Sequence, residues 1–319
     1  MAFTSLFRMM RLFLLLALVS FLLGGSLSWA KTADPWAGLK KRLEQDGCDR
    51  ASLDAAFSNK DMVFDPTFMA RKINTLLRIK MQASTKKTKT EAARNATPQP
   101  EVLPNFLKPE SLGKARLYMA QHPGLLDSIR DKYGIPPEIM TAFLLVETHF
   151  GTNVGKRSAL LTLASMAAAD DYSAIEPYIK PPGPLTPTLK NYLKKRTIQK
   201  SNWAYEELKA LFGYAKMLDI SPAEIPGSPY GAIGICQFMP TSALAYGADG
   251  DGDGDVDLFD KQDAVHSMAN FLKKNGWRPK LSEKGQRKVI YRYNHSWRYT
   301  NTIMAVADKL MEQEEQNPK

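Results

Sequence analysis

Cysteine is nearly missing from this chain: 319 residues hold two, Cys48 and Cys236. There is no CxxC pair and no cluster of histidine with cysteine, which excludes a zinc ribbon or a dithiol redox centre. Two cysteines permit one disulfide, but without geometry none is assigned. Cys48, inside DGCDRASLDAAF, reads equally well as a small core residue. Strand-like alternation is scarce, and no internal repeat recurs. Beyond residue 30 no stretch is apolar enough to cross a bilayer. No nucleic-acid motif and no organic-cofactor motif is present, so no nucleic-acid partner and no organic cofactor is expected.

What the chain does carry begins with an address. Arg8 and Arg11 precede an apolar run at 12–23, and Ser28, Trp29 and Ala30 supply a small-residue exit. That pattern predicts a signal peptide over 1–30, cleaved before Lys31. No cysteine sits at the exit, so no lipid attachment is expected. The predicted mature protein is exported, soluble and periplasmic. Lysine and arginine total 43 against 33 acidic residues, a formal charge of +10. A basic exported chain suits an anionic polymer such as cell wall, although charge alone also fits a merely soluble surface.

Residues 36–83 show helical apolar spacing in WAGLKKRLEQDG and PTFMARKINTLLRIKMQ. Residues 84–105 are polar, lysine-rich and then proline-punctuated, the composition of an exposed linker. Helical patterns resume at Phe106 and continue to the end, interrupted by EPYIKPPGPLTP at 176–187. The reading is mainly α, with room for a small β-hairpin. It divides into a 1–30 leader, a 31–105 helical segment with linker, and a 106–319 domain.

Within YGIPPEIMTAFLLVETHFG the paired prolines can open a helix, and Gly151 is placed to end it. Between them the helix is apolar nearly all round, which predicts burial. Glu147 lies on that helix. A carboxylate there loses hydration and shifts toward its protonated form, the state a general acid needs. The alternative is a helix-end glutamate that faces solvent or pairs with Lys156. The stretch SPYGAIGICQFMPTS at 228–242 adds glycines for close backbone approach, Gln237 as donor and acceptor, and Phe238 for stacking on a sugar face. It lacks the Lys-Ser/Thr ending of a phosphate loop.

Directly after it, Asp249, Asp251, Asp253, Gly254, Asp255, Asp257 and Asp260 fall on positions 1, 3, 5, 6, 7, 9 and 12 of a calcium loop. So many adjacent like charges call for a cation, and structural calcium is the expectation. Aspartate replaces the usual glutamate at position 12. Asp260 is also placed to cap the helix that follows.

These ordered motifs, with YRYNHSWRY at 291–299, resemble the membrane-bound lytic murein transglycosylase B family, glycoside hydrolase family 103. The resemblance runs over roughly 106–310. It implies a mainly α, lysozyme-like transglycosylase core with an EF-hand-like calcium loop. It also implies cleavage of the MurNAc-GlcNAc bond of peptidoglycan to give 1,6-anhydromuramic ends. Carried over, Glu147 matches the family's single acid/base. Ser228, Gln237, Phe238, Tyr293, Asn294 and Tyr299 match substrate-contacting positions. Expected partners are peptidoglycan glycan strands, with other cell-wall enzymes beside them. Two departures stand out: the lipid-attachment cysteine is missing, and AADDYSAIEPYIK replaces the cleft-wall arginines. Lys180, Lys190, Lys194 and Arg196 are the cations available to substitute. Two rival readings stay open, a hydrolytic muramidase using Asp170 or Asp171 and a non-catalytic wall-binding protein.

Overall fold

The structure, a computed structural model, describes residues 34–89 and 101–314. The expected leader at 1–30 lies outside the described residues, as do positions 90–100 of the expected linker. The chain divides into two compact units, Met1–Ala37 and Gly38–Lys319. In the first, the Ala37 amide closes a turn on the Asp34 carbonyl at 3.1 Å.

The second unit is built on helices. After α1 (Ala37–Gln45) and α2 (Arg50–Phe57) comes the long α3 (Thr67–Lys89), which buries Phe68, Met69, Ala70, Ile73 and Leu77. Residues 84–89 continue α3 instead of opening a linker, because no glycine or proline interrupts the chain before Pro98. Prolines stand at the first turn of α4 (Pro109–Gln121), α5 (Pro123–Tyr133) and α6 (Pro137–Thr148), where a missing N–H costs nothing. The central α6 is buried on every side from Glu138 through Leu145, as its all-round apolar pattern requires.

Strand β1 (Arg157–Ser158) leads into α7 (Ala159–Ala168) and the single turn α8 (Tyr172–Ile175). The 31-residue α9 (Pro187–Met217) is about 46 Å long at 1.5 Å per residue, enough to pack against α3, α7 and α10. Strand β2 (Pro226–Gly227) precedes α10 (Pro240–Tyr246). Then follow α11 (Lys261–Lys274), α12 (Glu283–Tyr293) and α13 (Trp297–Glu314), which lies along α6. β1 and β2 pair antiparallel, with Arg157 opposite Gly227 and Ser158 opposite Pro226. The expected hairpin is therefore a pairing of distant segments, which clamps the chain after α6 to the Gly-rich turn. No helix among the described residues is long and apolar enough to cross a membrane.

Candidate active site

Glu147 occupies the last turn of α6, one residue before the helix ends. The stop comes earlier than Gly151: His149 and Phe150 both take positive φ, at 49° and 62°. Left-handed backbone is uncommon for such residues and needs support from its surroundings. Thr148 supplies it, since its hydroxyl accepts the Gly151 amide and donates to the Ile235 carbonyl, each at 3.0 Å. One side chain thus ends the helix and ties that end to the Gly-rich turn.

Glu147 keeps a partly exposed edge while protein surrounds the rest of it. Burial pushes its carboxyl up to about 7, opposed by the Tyr299 hydroxyl, which donates to its Oε1 at 2.5 Å. It has no ion pair among the described residues, with Lys156 or otherwise. Tyr299 comes from α13 and is 6% exposed. Tyr293, at the end of α12, donates to the Cys236 carbonyl at 2.5 Å. Burial holds both phenols well above their ordinary range, reinforced by Glu147 at Tyr299 and by Cys236 and then Glu147 at Tyr293. They therefore stay protonated and act as hydrogen-bond donors near neutrality. Phe143, one turn before Glu147, packs edge-on against both tyrosine rings.

The Gly-rich turn folds on itself. Ser228 Oγ accepts the amides of Tyr230 (3.3 Å) and Ala232 (3.0 Å). Gln237, at φ 50°, donates through Nε2 to the carbonyls of Val154 and Gly234. The glycines make room for the protein's own chain and not for a ligand. A Cβ on Gly234 would stand 2.4 Å from the Leu258 carbonyl oxygen, and Gly231 rests against Leu163. Asn294 ends α12 and is exposed. Phe238 departs from expectation. It is 3% exposed, with its ring among Tyr246, Phe271 and Tyr293, so its faces are covered and unable to stack on a sugar. The apolar packing of α10 to α12 claims the ring. Cys48 and Cys236 are free thiols.

In the acidic loop, carboxylate oxygens of Asp249, Asp251 and Asp263 lie within 4.8 Å of one another, a spacing that fits oxygen ligands around one hard cation. Asp263 was not among the expected ligands, lying three residues beyond position 12. Its two oxygens accept the Gly250 and Asp257 amides at 2.7 Å each, and burial pushes its carboxyl up. Asp260 caps α11, accepting the Gln262 and Asp263 amides. Asp253 accepts the Asp255 amide, and Asp257 accepts that of Phe259, so these carboxylates shape the loop outside the close trio. A register count finds the loop, but only the first turn of α11 brings Asp263 back over it.

Solved structures share this architecture. The fold matches the Escherichia coli lytic transglycosylase Slt35 in complex with calcium at a TM-score of 0.60 and 19% identity, over 91% of this chain and 96% of that one. It matches SltB3 from Pseudomonas aeruginosa in complex with NAG-anhNAM-pentapeptide at a TM-score of 0.60 and 19% identity, over 86% and 78%. The fold is thus mainly α and lysozyme-like, of the lytic transglycosylase kind. The chain belongs to the transglycosylase SLT domain family, whose pattern matches residues 31–286. It is 27% identical over 240 residues to membrane-bound lytic murein transglycosylase B of Escherichia coli strain K12. That stretch covers 75% of this chain and 56% of the relative, so the chain spans little more than half of that protein's length.

Proposed function

We propose that this protein is a lytic transglycosylase that cuts the MurNAc-GlcNAc β-1,4 bond of peptidoglycan glycan strands and leaves 1,6-anhydromuramic ends. The observation that carries this reading is the state of Glu147: a carboxyl raised to about 7 by burial, with a phenol fixed against it at 2.5 Å. Near neutrality such a group gives up a proton and takes one back with comparable ease. In the first step the Glu147 carboxyl protonates the glycosidic oxygen as its bond to muramic C1 breaks. The substrate's own N-acetyl oxygen stabilises the cationic C1, as in substrate-assisted glycosidases. The Glu147 carboxylate then removes the C6 hydroxyl proton while that oxygen closes onto C1. Intramolecular placement lets this hydroxyl outcompete water. Tyr299 holds the carboxyl in place through both transfers.

Ser228, Gln237, Tyr293 and Asn294 are the substrate-facing polar groups of this reading. Phe238 supports them from beneath. A hydrolytic mechanism would require a second carboxylate or a held water; of the two candidate carboxylates, Asp171 accepts both the amide and the hydroxyl of Ser173, and Asp170 is exposed. Asp249, Asp251 and Asp263 would hold calcium through hard carboxylate oxygens, and an ion there would brace the loop against α11. The basic charge and the leader pattern support an exported, periplasmic setting, where other cell-wall enzymes are the expected neighbours.

Mass spectrometry of muropeptides released from purified peptidoglycan, by the protein and by Glu147→Gln, tests the proposal. Anhydro ends are expected from the unaltered protein alone, and the variant is expected to lose roughly 100-fold or more of its turnover. Reducing ends would replace the reading with a muramidase, and intact glycan with measurable binding would replace it with a wall-binding protein.

A further inference from the structure

The inward side of α12 is fixed by Val289 and Ile290, both buried, and by Tyr293, whose hydroxyl reaches the Cys236 carbonyl. Positions 284, 288 and 291 recur one turn apart on the opposite side. Lys284 and Lys288 are exposed there. Tyr291 ends that stripe, and the indole of Trp297, the first residue of α13, stacks on its ring at 4.5 Å and 27°. The His295 ring meets Tyr291 edge-on at 5.4 Å. Trp297 is nevertheless 55% exposed. Lone apolar side chains on a surface are ordinary, but this is a stacked pair of large rings whose apolar area gains by being covered.

The charge left open around the pair is of one sign. Neither Lys284 nor Lys288 has an ion pair among the described residues. The carboxylates on either flank are each answered by an arginine: Glu283 holds Arg287 at 2.7 Å, and Glu101 lies 3.6 Å from Arg298. A sugar platform would need acceptors as well as donors beside its rings to fix hydroxyl groups, and lysine ammonium groups only donate. Amphipathic aromatic rings flanked by lysine suit instead the boundary between water and anionic lipid headgroups. Tyr293 and Tyr299, which pack on Phe143 beside Glu147, lie two residues from Tyr291 and Trp297. Two residues turn a helix by about 200°, so the stripe and the active site occupy opposite sides of α12 and α13.

We propose that the outer face of α12 docks the protein on an anionic phospholipid surface, with Trp297 and Tyr291 seated at headgroup level and Lys284 and Lys288 pairing with lipid phosphates. The opposite placement of the stripe leaves the cleft open while lipid is bound. Co-sedimentation of the exported, processed protein with equimolar phosphatidylglycerol–phosphatidylcholine vesicles, and with phosphatidylcholine vesicles alone, tests it. Retention by the anionic vesicles alone is expected, weakening as salt is raised. The Lys284→Ala/Lys288→Ala double variant is expected to bind about 25-fold more weakly, near fivefold for each lysine at such a surface. Trp297→Ala is expected to lose about tenfold, from the indole area now in water. All three side chains are exposed, and unchanged melting temperatures in the variants exclude loss of the fold. No retention, equal retention by phosphatidylcholine alone, or undiminished retention in either variant would overturn the docking face. Displacement from anionic vesicles by soluble peptide-free glycan strands would overturn it too, making the face a sugar platform. Vesicle binding is read without any cleavage, so its failure leaves the enzymatic proposal untouched, and loss of that proposal leaves the docking face in place.

Discussion

A carboxyl group raised to about 7 is useful only if its surroundings also fix its position, and at Glu147 one neighbour affects both. The Tyr299 hydroxyl donates to Oε1, which orients the carboxyl and partly offsets the effect of burial. Removing that hydroxyl acts on the two in opposite senses. In Tyr299→Phe the carboxyl loses the bond that favours its ionised form, so its pKa moves further up and the alkaline limb of the pH–rate profile shifts to higher pH. Turnover at the optimum falls because the carboxyl is no longer held. A profile whose alkaline limb stays in place, or moves down, would show that Tyr299 does not tune this group. The position of Glu147 on a buried helix was legible from its apolar neighbours. Tyr299, 152 residues away, was tied to the acid only by the folded chain.

At the scale of elements, the site depends on short segments that meet end to end. The end of α6, strand β1 and the Gly-rich turn are fastened by Thr148 and by the β1–β2 ladder. Gly155 lies at that junction, at φ 97°, where a Cβ would stand 2.2 Å from the Gly227 carbonyl oxygen. The obstruction is backbone, which cannot swing aside as a side chain can. Gly155→Ala is therefore expected to destabilise the fold by about 3 kcal/mol, through both the positive φ and the forced separation of the strands. Chemical denaturation measures it, and a loss within about 0.5 kcal/mol, the range of ordinary surface changes, would refute this account of the junction. The sequence marked glycines at 231 and 234 as places of close approach but did not say what approaches. The answer is Leu163 and Leu258.

For the whole molecule, the acidic loop joins α10 to α11 beside the aromatic cluster that covers Phe238, so its state bears on the stability of the entire unit. If calcium binds the folded loop alone, an ion at 100 times its dissociation constant adds about 2.7 kcal/mol. For a domain of this size that corresponds to a rise in Tm of roughly 5 °C. Thermal melts with calcium and after chelation should differ by that order in the unaltered protein and coincide in Asp263→Asn. Equal melts in the unaltered protein would remove calcium from the account. The sequence by itself determined what local order and composition can encode: helices from apolar period and proline position, the buried helix that carries Glu147, the Asp-rich loop and the family resemblance. Only the tertiary structure decided which distant groups face one another. It turned Phe238 into core, brought Asp263 to Asp249 and Asp251, and set Tyr299 on Glu147. The physical reason is that a helix pattern specifies which face is buried but not against what, and these contacts depend on packing between segments far apart in the chain.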